Sequence, residues 1–420
     1  MLFSQRANTN RKMARELNVL KFYFLVRENC DYNALTQAFQ ALLRNNDSLR
    51  IRFCRRLFHT RQYITDYEPY VPERIKLNSR SEFDTYLEST RMKELPMYHS
   101  PLYWASLVDM GDCGALVMRI SHFCIDGFSI SLIFSQLEKY YKAFAAGEPE
   151  PKIRTYSIVD YFKLDNEYTA SNELKEDRAY WQQVHKHQPE YQPPVPFAIS
   201  GKSKRINCCI DGERYAALSS YCSQHMMSMS FMTNLLAALT TYVMTGSNNF
   251  CMLVMSHGRR NFKMKQTVGC MINYVPMYFH FETGKTLDET ATEHYLRYME
   301  ALTHGRLPLS VHNPMTFGEA FKHKMNFGHF CWLLFSAMDY HSAVKDPLIE
   351  TGTLDDTTLS YHFYCAAFDD PGERITLEVS HLTSRYSPEV MQKAAETMIA
   401  IADRIIANSS NPVENLKNKI

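Results

Sequence analysis

The sequence predicts an α/β protein built as two lobes, on three observations. Strand-like apolar runs alternate with amphipathic helical stretches through both halves of the chain. The 420 residues exceed what one ordinary core accommodates. The segment 145–151, Ala-Ala-Gly-Glu-Pro-Glu-Pro, ends a long helix with two prolines and a glycine. The division is placed shortly after it, giving lobes over 1–160 and 161–420.

Leu20 to Val26 is an apolar strand, and Asp31 caps the helix after it, whose Leu35, Ala38, Phe39 and Leu42 recur at helical spacing. Residues 116–121 form a second apolar strand, followed by a helix with Ile130, Ile133, Phe134, Leu137, Tyr141 and Phe144 on one face. Gln188 to Lys204, with Pro189, Pro193, Pro194 and Pro196, is read as a loop. Ser230 opens a helix carrying Leu235, Leu236 and Leu239, and Phe250 to Met255 is a buried strand. Tyr361 to Ser380 reads as a hairpin around Asp369-Asp370-Pro371-Gly372. Ser387-Pro388 starts the last helix by cap and first-turn proline, with Met391, Ala394, Ala395, Met398, Ala402 and Ile405 inward.

Bulk chemistry narrows the function classes. Hydrophobic residues make up 45% and charged residues 22%, the balance of a globular chain. A formal net charge of +1 gives no general case for a nucleic-acid or anionic-membrane partner. The 11 cysteines include no C-x-x-C spacing, which favours reduced, mostly buried thiols over disulfides or zinc. The first dozen residues lack the apolar core of a signal peptide, and no apolar run approaches the ~20 residues a membrane helix requires. The expectation is a cytoplasmic protein.

The chemistry concentrates in Leu-Val-Met-Arg-Ile-Ser-His-Phe-Cys-Ile-Asp-Gly-Phe-Ser-Ile, residues 116–130. His122 is delivered at the end of a strand, where a stiff element aims the imidazole and a turn keeps its edge reachable. Asp126 and Gly127 follow. No third ligand stands at metal-binding spacing from His122 and Asp126, so no metal is expected. On these residues alone, His122 is as well read as a satisfied histidine at a strand end as it is a catalytic base.

An ordered series of segments changes that balance. Ser121-His122 to Asp126-Gly127 resembles the HHxxxDG motif of the chloramphenicol-acetyltransferase-like superfamily, in particular of the condensation domains of nonribosomal peptide synthesis, with Ser121 in place of the first histidine. Arg44 to Phe53 is similar to the family's xHxxLRTRF segment, and Tyr180-Trp181 to its Tyr-Trp pair. Gly258-Arg259 followed by Val268-Gly269-Cys270-Met271-Ile272-Asn273 is similar to GR…VGxFxN, and Leu302 to Pro308 to LxHQxxPF. The N-terminal signature is degenerate at Ser4-Gln5-Arg6.

The resemblance implies two acetyltransferase-like lobes in a V-shaped pseudo-dimer with a central tunnel. It implies a free-standing acyltransferase that moves an acyl group from a thioester to an amine or hydroxyl. The thioester would sit on a carrier protein's phosphopantetheine arm, supplied in trans, or on coenzyme A. His122 is then base or positioning group, and Asp126 a structural partner of Arg259, with Gly127 supplying a special backbone conformation or clearance. Asn273 and Ser121 are candidates for the channel wall or the developing oxyanion, against a bland role in bonding the backbone. No permanently bound cofactor, metal, nucleic acid or membrane span is implied, and the expected state is a monomer. Two rival readings stand beside this one: a coenzyme A-dependent alcohol O-acyltransferase, and a non-catalytic docking module for which Ser121 is the best support.

Overall fold

The computed structural model describes residues 19–56, 59–90, 95–186, 201–308, 311–312, 334–337, 344–354, 358–359, 363–370, 372–384 and 386–417. Ser4-Gln5-Arg6, the proline-bearing part of the second loop, Tyr361 and Pro371 lie outside the described residues.

In chain order come β1 (Val19–Val26), α1 (Tyr32–Asn45), β2 (Ile51–Arg56), β3 (His59–Ile64), β4 (Glu73–Lys76), α2 (Arg80–Thr90), β5 (Tyr103–Met110) and β6 (Cys113–Ser121). Then follow α3 (Gly127–Ala145), α4 (Ile158–Thr169), α5 (Asn172–Lys186), β7 (Gly201–Asp211), α6 (Gly212–Gln224), α7 (Met229–Thr245) and β8 (Asn249–Ser256). A short α8 (Phe262–Lys265) precedes β9 (Asn273–His280) and α9 (Leu287–Thr303). The C-terminal part holds β10 (Leu334–Ala337), β11 (Ile349–Thr353), β12 (Thr358–Leu359), β13 (Phe363–Asp370), β14 (Arg374–Leu382) and α10 (Pro388–Asn408).

The chain divides into two compact units. The first comprises Met1–Ala170, Arg259–Met271 and Asp339–Asp356, and the second Ser171–Gly258, Ile272–Met338 and Thr357–Ile420. This differs from a single division near residue 160. Three contacts within the first unit give the reason. The Ile158 amide at the start of α4 donates to Asp47 Oδ1 at 2.9 Å, β11 pairs with β1 as an edge strand, and Arg259 carries its guanidinium to Asp126.

The first unit is built on a five-stranded sheet of order β11-β1-β6-β5-β4. All its pairings are antiparallel except β4 with β5. The β1–β6 register sets Val19 opposite Ser121, which fixes where β6 ends. Helix α1 starts where Asp31 Oδ1 accepts from the Asn33 and Ala34 amides at 2.9 and 3.0 Å. Its buried Leu35, Ala38, Phe39 and Leu42 are those its spacing predicts. Helix α3 buries Ile130, Ile133, Phe134, Leu137 and Tyr141, each side chain worth roughly 1.5–3 kcal/mol. Phe134 meets Phe22 of β1 edge to face, with centroids 5.5 Å apart. The helix that ends at the 145–151 break is thereby seated on the strand beside β6.

The second unit carries a seven-stranded sheet of order β12-β7-β14-β13-β10-β8-β9. Its longest pairing joins β7 to β14 from Ser203 to Asp211, so the loop read from Gln188 to Lys204 gives way to strand at Gly201. Helix α7 begins earlier than Ser230, because Ser228 is the residue whose hydroxyl accepts from the Phe231 amide at 3.1 Å. It ends at Gly246, whose φ of 77° gives the left-handed C-terminal cap that glycine adopts without strain. The β13–β14 hairpin turns through Gly372 at φ 87°. Ser387 and Pro388 start α10, which buries Met391, Ala395, Met398, Ala402 and Ile405, while Ala394 is only half-buried.

Among the described residues no helix is long and apolar enough to cross a membrane.

Candidate active site

Strand β6 is buried from Gly114 through Ser121 and stops there because Ser121 gathers the next amides. Its carbonyl accepts from Cys124 N at 2.9 Å and Ile125 N at 3.4 Å, and its hydroxyl accepts from Phe123 N at 3.3 Å. His122 heads this turn and is half-buried, while Phe123, Cys124 and Ile125 behind it are buried. Phe123 is wedged edge to face on Phe53 at 5.1 Å. The imidazole therefore stands on a stiff strand end backed by packed apolar side chains.

The turn runs into the N-cap of α3. Asp126, fully buried, accepts from Ser129 N at 3.0 Å and Ser129 Oγ at 2.9 Å. The same carboxylate takes two parallel bonds from Arg259, Nη1 to Oδ2 at 2.8 Å and Nη2 to Oδ1 at 2.9 Å. Met271 N adds a bond to Oδ2 at 2.8 Å. Both charged side chains are wholly inaccessible. Burial alone would raise the Asp126 carboxyl, yet the Arg259 charge and hydrogen bonds, with the Met271 and Ser129 donors, hold it below the usual carboxylate range. Asp126 is thus an anion committed to structure, with no oxygen facing a reacting group.

Ser129 completes the clamp. Its Oγ accepts from Gly269 N at 3.0 Å and lies 2.9 Å from Gly269 O, so its one proton is shared between that carbonyl and Asp126. Arg259 Nη2 also donates to Gly269 O at 2.9 Å, and the guanidinium lies 4.5 Å from the Phe128 ring centroid. Gly269 approaches Ile158 closely, since a Cβ there would lie 2.2 Å from Ile158 Cδ1 and would force that side chain to move. Between the pinned Gly269 and Met271, Cys270 places Sγ 3.6 Å from His122 Nδ1.

The structure thus brings together His122, Asp126 and Arg259 within one unit. Gly127 opens α3, is buried, and is not among the glycines at positive φ, so the expectation of a special backbone conformation is replaced by an ordinary first helical residue. Asn273 takes the bland role. Its Nδ2 donates to Gly305 O at 2.7 Å and Leu307 O at 2.8 Å, which uses both amide protons on the loop after α9 and leaves no Nδ2 proton for an oxyanion. His304 binds Asp177 Oδ1 at 2.8 Å and stacks on Tyr180, again a structural use. No cluster of metal-ligating side chains occurs among the described residues.

Ser129, Gly269 and Cys270 were not singled out as site residues in the sequence. Ser129 carried no clear signal, since a capping box places Glu or Gln at that position. Cys270 had none either, because its contact with His122 spans 148 positions.

Ser121 lends itself to a direct test. In Ser121→Ala the Phe123 amide loses its acceptor, and the fold should lose about 0.5–1.5 kcal/mol. Any activity of this site should stay within a few-fold, because the hydroxyl serves the turn. Equilibrium unfolding and turnover of the same preparation check both halves, and a hundredfold activity loss at unchanged stability would place Ser121 in the chemistry.

Known proteins resemble this chain along nearly its whole length. The Condensation domain family model matches residues 12–418. Surfactin synthase subunit 1 of Bacillus subtilis is 21% identical over 403 residues, covering 92% of this chain and 11% of that protein. Nonribosomal peptide synthetase dtxS1 of Metarhizium robertsii is 26% identical over 252 residues, covering 57% of this chain and 3% of that protein. The chain thus spans only a small fraction of the length of these relatives. Among solved structures, the condensation domain from Monacolin K polyketide synthase MokA superposes with a TM-score of 0.80 at 17% identity, covering 98% of this chain and 96% of that one. A mutant starter condensation domain of rhizomide synthetase RzmA, in complex with C8-CoA, superposes with a TM-score of 0.81 at 16% identity, covering 97% and 95%. The X-domain from teicoplanin biosynthesis does so with 0.77 at 12% identity, covering 96% and 93%.

Proposed function

The chain belongs to the condensation-domain family, and on that premise we propose that it is an acyltransferase joining a thioester-borne acyl group to an amine, with His122 as the base. The observation that carries this reading is the setting of His122: half-buried, at the end of β6, on a turn locked to α3 by the buried Asp126–Arg259 pair. The acceptor nitrogen attacks the thioester carbonyl, forming the C–N bond as the C–S bond breaks. His122 takes the proton released by the nitrogen, and the departing thiolate recovers it as a thiol. General-base help of this kind contributes about 10²–10⁴-fold. Holding the two reactants together supplies more, about 7–11 kcal/mol for well-oriented pairs.

The donor is a phosphopantetheine thioester on a carrier protein or a coenzyme A thioester. The rhizomide synthetase domain above was solved with C8-CoA, and a related structure of it with C8-CoA and Leu-SNAC, which supports pairing an acyl thioester with an aminoacyl acceptor here. Ser121, where the family pattern has histidine, favours a second reading as a docking module without chemistry.

One assay separates the readings. The purified chain is given acyl-coenzyme A or carrier-loaded acyl donors, each with amine and alcohol panels, and products are followed by mass spectrometry. Amide product in excess of the enzyme is expected. Ester alone would favour O-acyl transfer, and carrier binding without product from any donor would favour the docking module.

A further inference from the structure

Cys270 lies between two peptides that cannot move independently of the site. Gly269 is held on Ser129 and Arg259 through its amide and carbonyl, and the Met271 amide is held on Asp126. The whole excursion from Arg259 to Met271 is therefore closed at its neck by one carboxylate, from Arg259 at one end and the Met271 amide at the other. This geometry fixes the Cys270 backbone and delivers Sγ to 3.6 Å from His122 Nδ1, within the range of a hydrogen bond to sulfur. Cys270 is half-buried, as His122 is.

A neutral imidazole carries one N–H and one lone pair, and which nitrogen holds the proton is set by what the other groups accept. With Nδ1 directed at sulfur, base work falls to Nε2, and that requires the proton to reside on Nδ1. We propose that Cys270 is a positioning residue for His122: Nδ1–H donates to Sγ, which selects the tautomer with its lone pair on Nε2 and holds the ring plane. This rests on the reading of His122 as the base. When Nε2 takes the acceptor's proton the ring becomes an imidazolium, and Nδ1–H still donates to sulfur. No proton passes to the thiol, and the one on Nε2 leaves with the departing thiolate.

Sulfur is a weak acceptor, so the effect is modest and specific. The test uses the full chain with selectively ¹⁵N-labelled histidine, the His122 signals being assigned by their loss in His122→Ala. The wild type should show Nδ1 protonated and Nε2 bare near neutral pH. In Cys270→Ala the share of rings protonated on Nδ1 should fall, and kcat should fall about tenfold with KM unchanged, the worth of one hydrogen bond to a group that becomes charged. Losing the acceptor destabilises the imidazolium, so the acidic limb of the kcat/KM profile should move to lower pH by about half a unit. Cys270→Ser should restore tautomer, rate and profile, because a hydroxyl also accepts.

A wild-type ring protonated on Nε2, or a Cys270→Ala protein with unaltered tautomer and pH profile, overturns the proposal. A His122→Ala protein that keeps full turnover would instead overturn the base reading. The ¹⁵N spectrum reports the sulfur contact regardless of activity, so the two failures are separable.

Discussion

His122→Ala is expected to lose two to four decades of kcat, about the full worth of a general base, at nearly unchanged stability. The stability half of this expectation comes from exposure. His122 is half-buried at the head of a turn whose own hydrogen bonds run to Ser121 through backbone atoms and the serine hydroxyl. Truncating the imidazole removes none of them. The packing beneath is supplied by Phe123, Cys124 and Ile125, which the substitution leaves in place. The activity half comes from chemistry. Water can still take the acceptor's proton, but without a fixed lone pair at the reacting atom, while binding of both reactants remains. KM should accordingly change less than kcat. Steady-state kinetics with saturating donor, alongside a thermal melt, decide the matter, and turnover within a few-fold of wild type removes His122 from the chemistry.

How far the sequence alone reaches is clearest around this residue. The strand, the turn and the amphipathic helix after it were legible from period and capping chemistry, and α3 buries five of the six apolar residues its spacing assigns. The Arg259 partner was legible only as a family resemblance, since nothing local in Gly258-Arg259 points to an aspartate 133 residues earlier. Asn273 was left between two roles because an amide side chain suits an oxyanion and a backbone carbonyl equally well. Its commitment to Gly305 and Leu307 depends on where the loop after α9 lies in space. For Gly127, the special conformation suggested by its place after Asp126 gives way to the first residue of a helix, because a glycine's backbone is set by the element it joins. The division into units was missed at Arg259–Met271 and Asp339–Asp356, because segments that cross back to an earlier core carry no composition signal.

The Asp126–Arg259 pair carries the second large expectation. Both side chains are fully buried, so removing either partner strands a charge in the interior, and each of Asp126→Asn and Arg259→Ala should cost about 3–5 kcal/mol. Such a loss is a large share of a domain's stability and should appear as poor solubility together with low activity. The asymmetry lies in what is left behind. In Asp126→Asn a neutral amide faces a guanidinium that cannot shed its charge, whereas in Arg259→Ala the stranded carboxylate can take up a proton. The pH dependence follows from that difference. In the wild type the Asp126 carboxyl is held below its ordinary value, so its contribution is complete above about pH 4, the unfolded carboxylate range, and is lost as pH falls through the folded value. In Arg259→Ala, burial is no longer opposed by the guanidinium, so the folded carboxyl is raised and protonation favours the folded state. The stability gap between wild type and Arg259→Ala should therefore narrow as pH is lowered from about 7 towards 4. The double variant should fall short of the sum of the single losses by about 0.5–3 kcal/mol, since no unpaired charge remains. Denaturant unfolding of the four proteins across that pH range is the measurement. Additive losses with a constant gap would mean that the two side chains do not depend on one another, and that the turn below His122 is held by Ser129 and the Met271 amide alone.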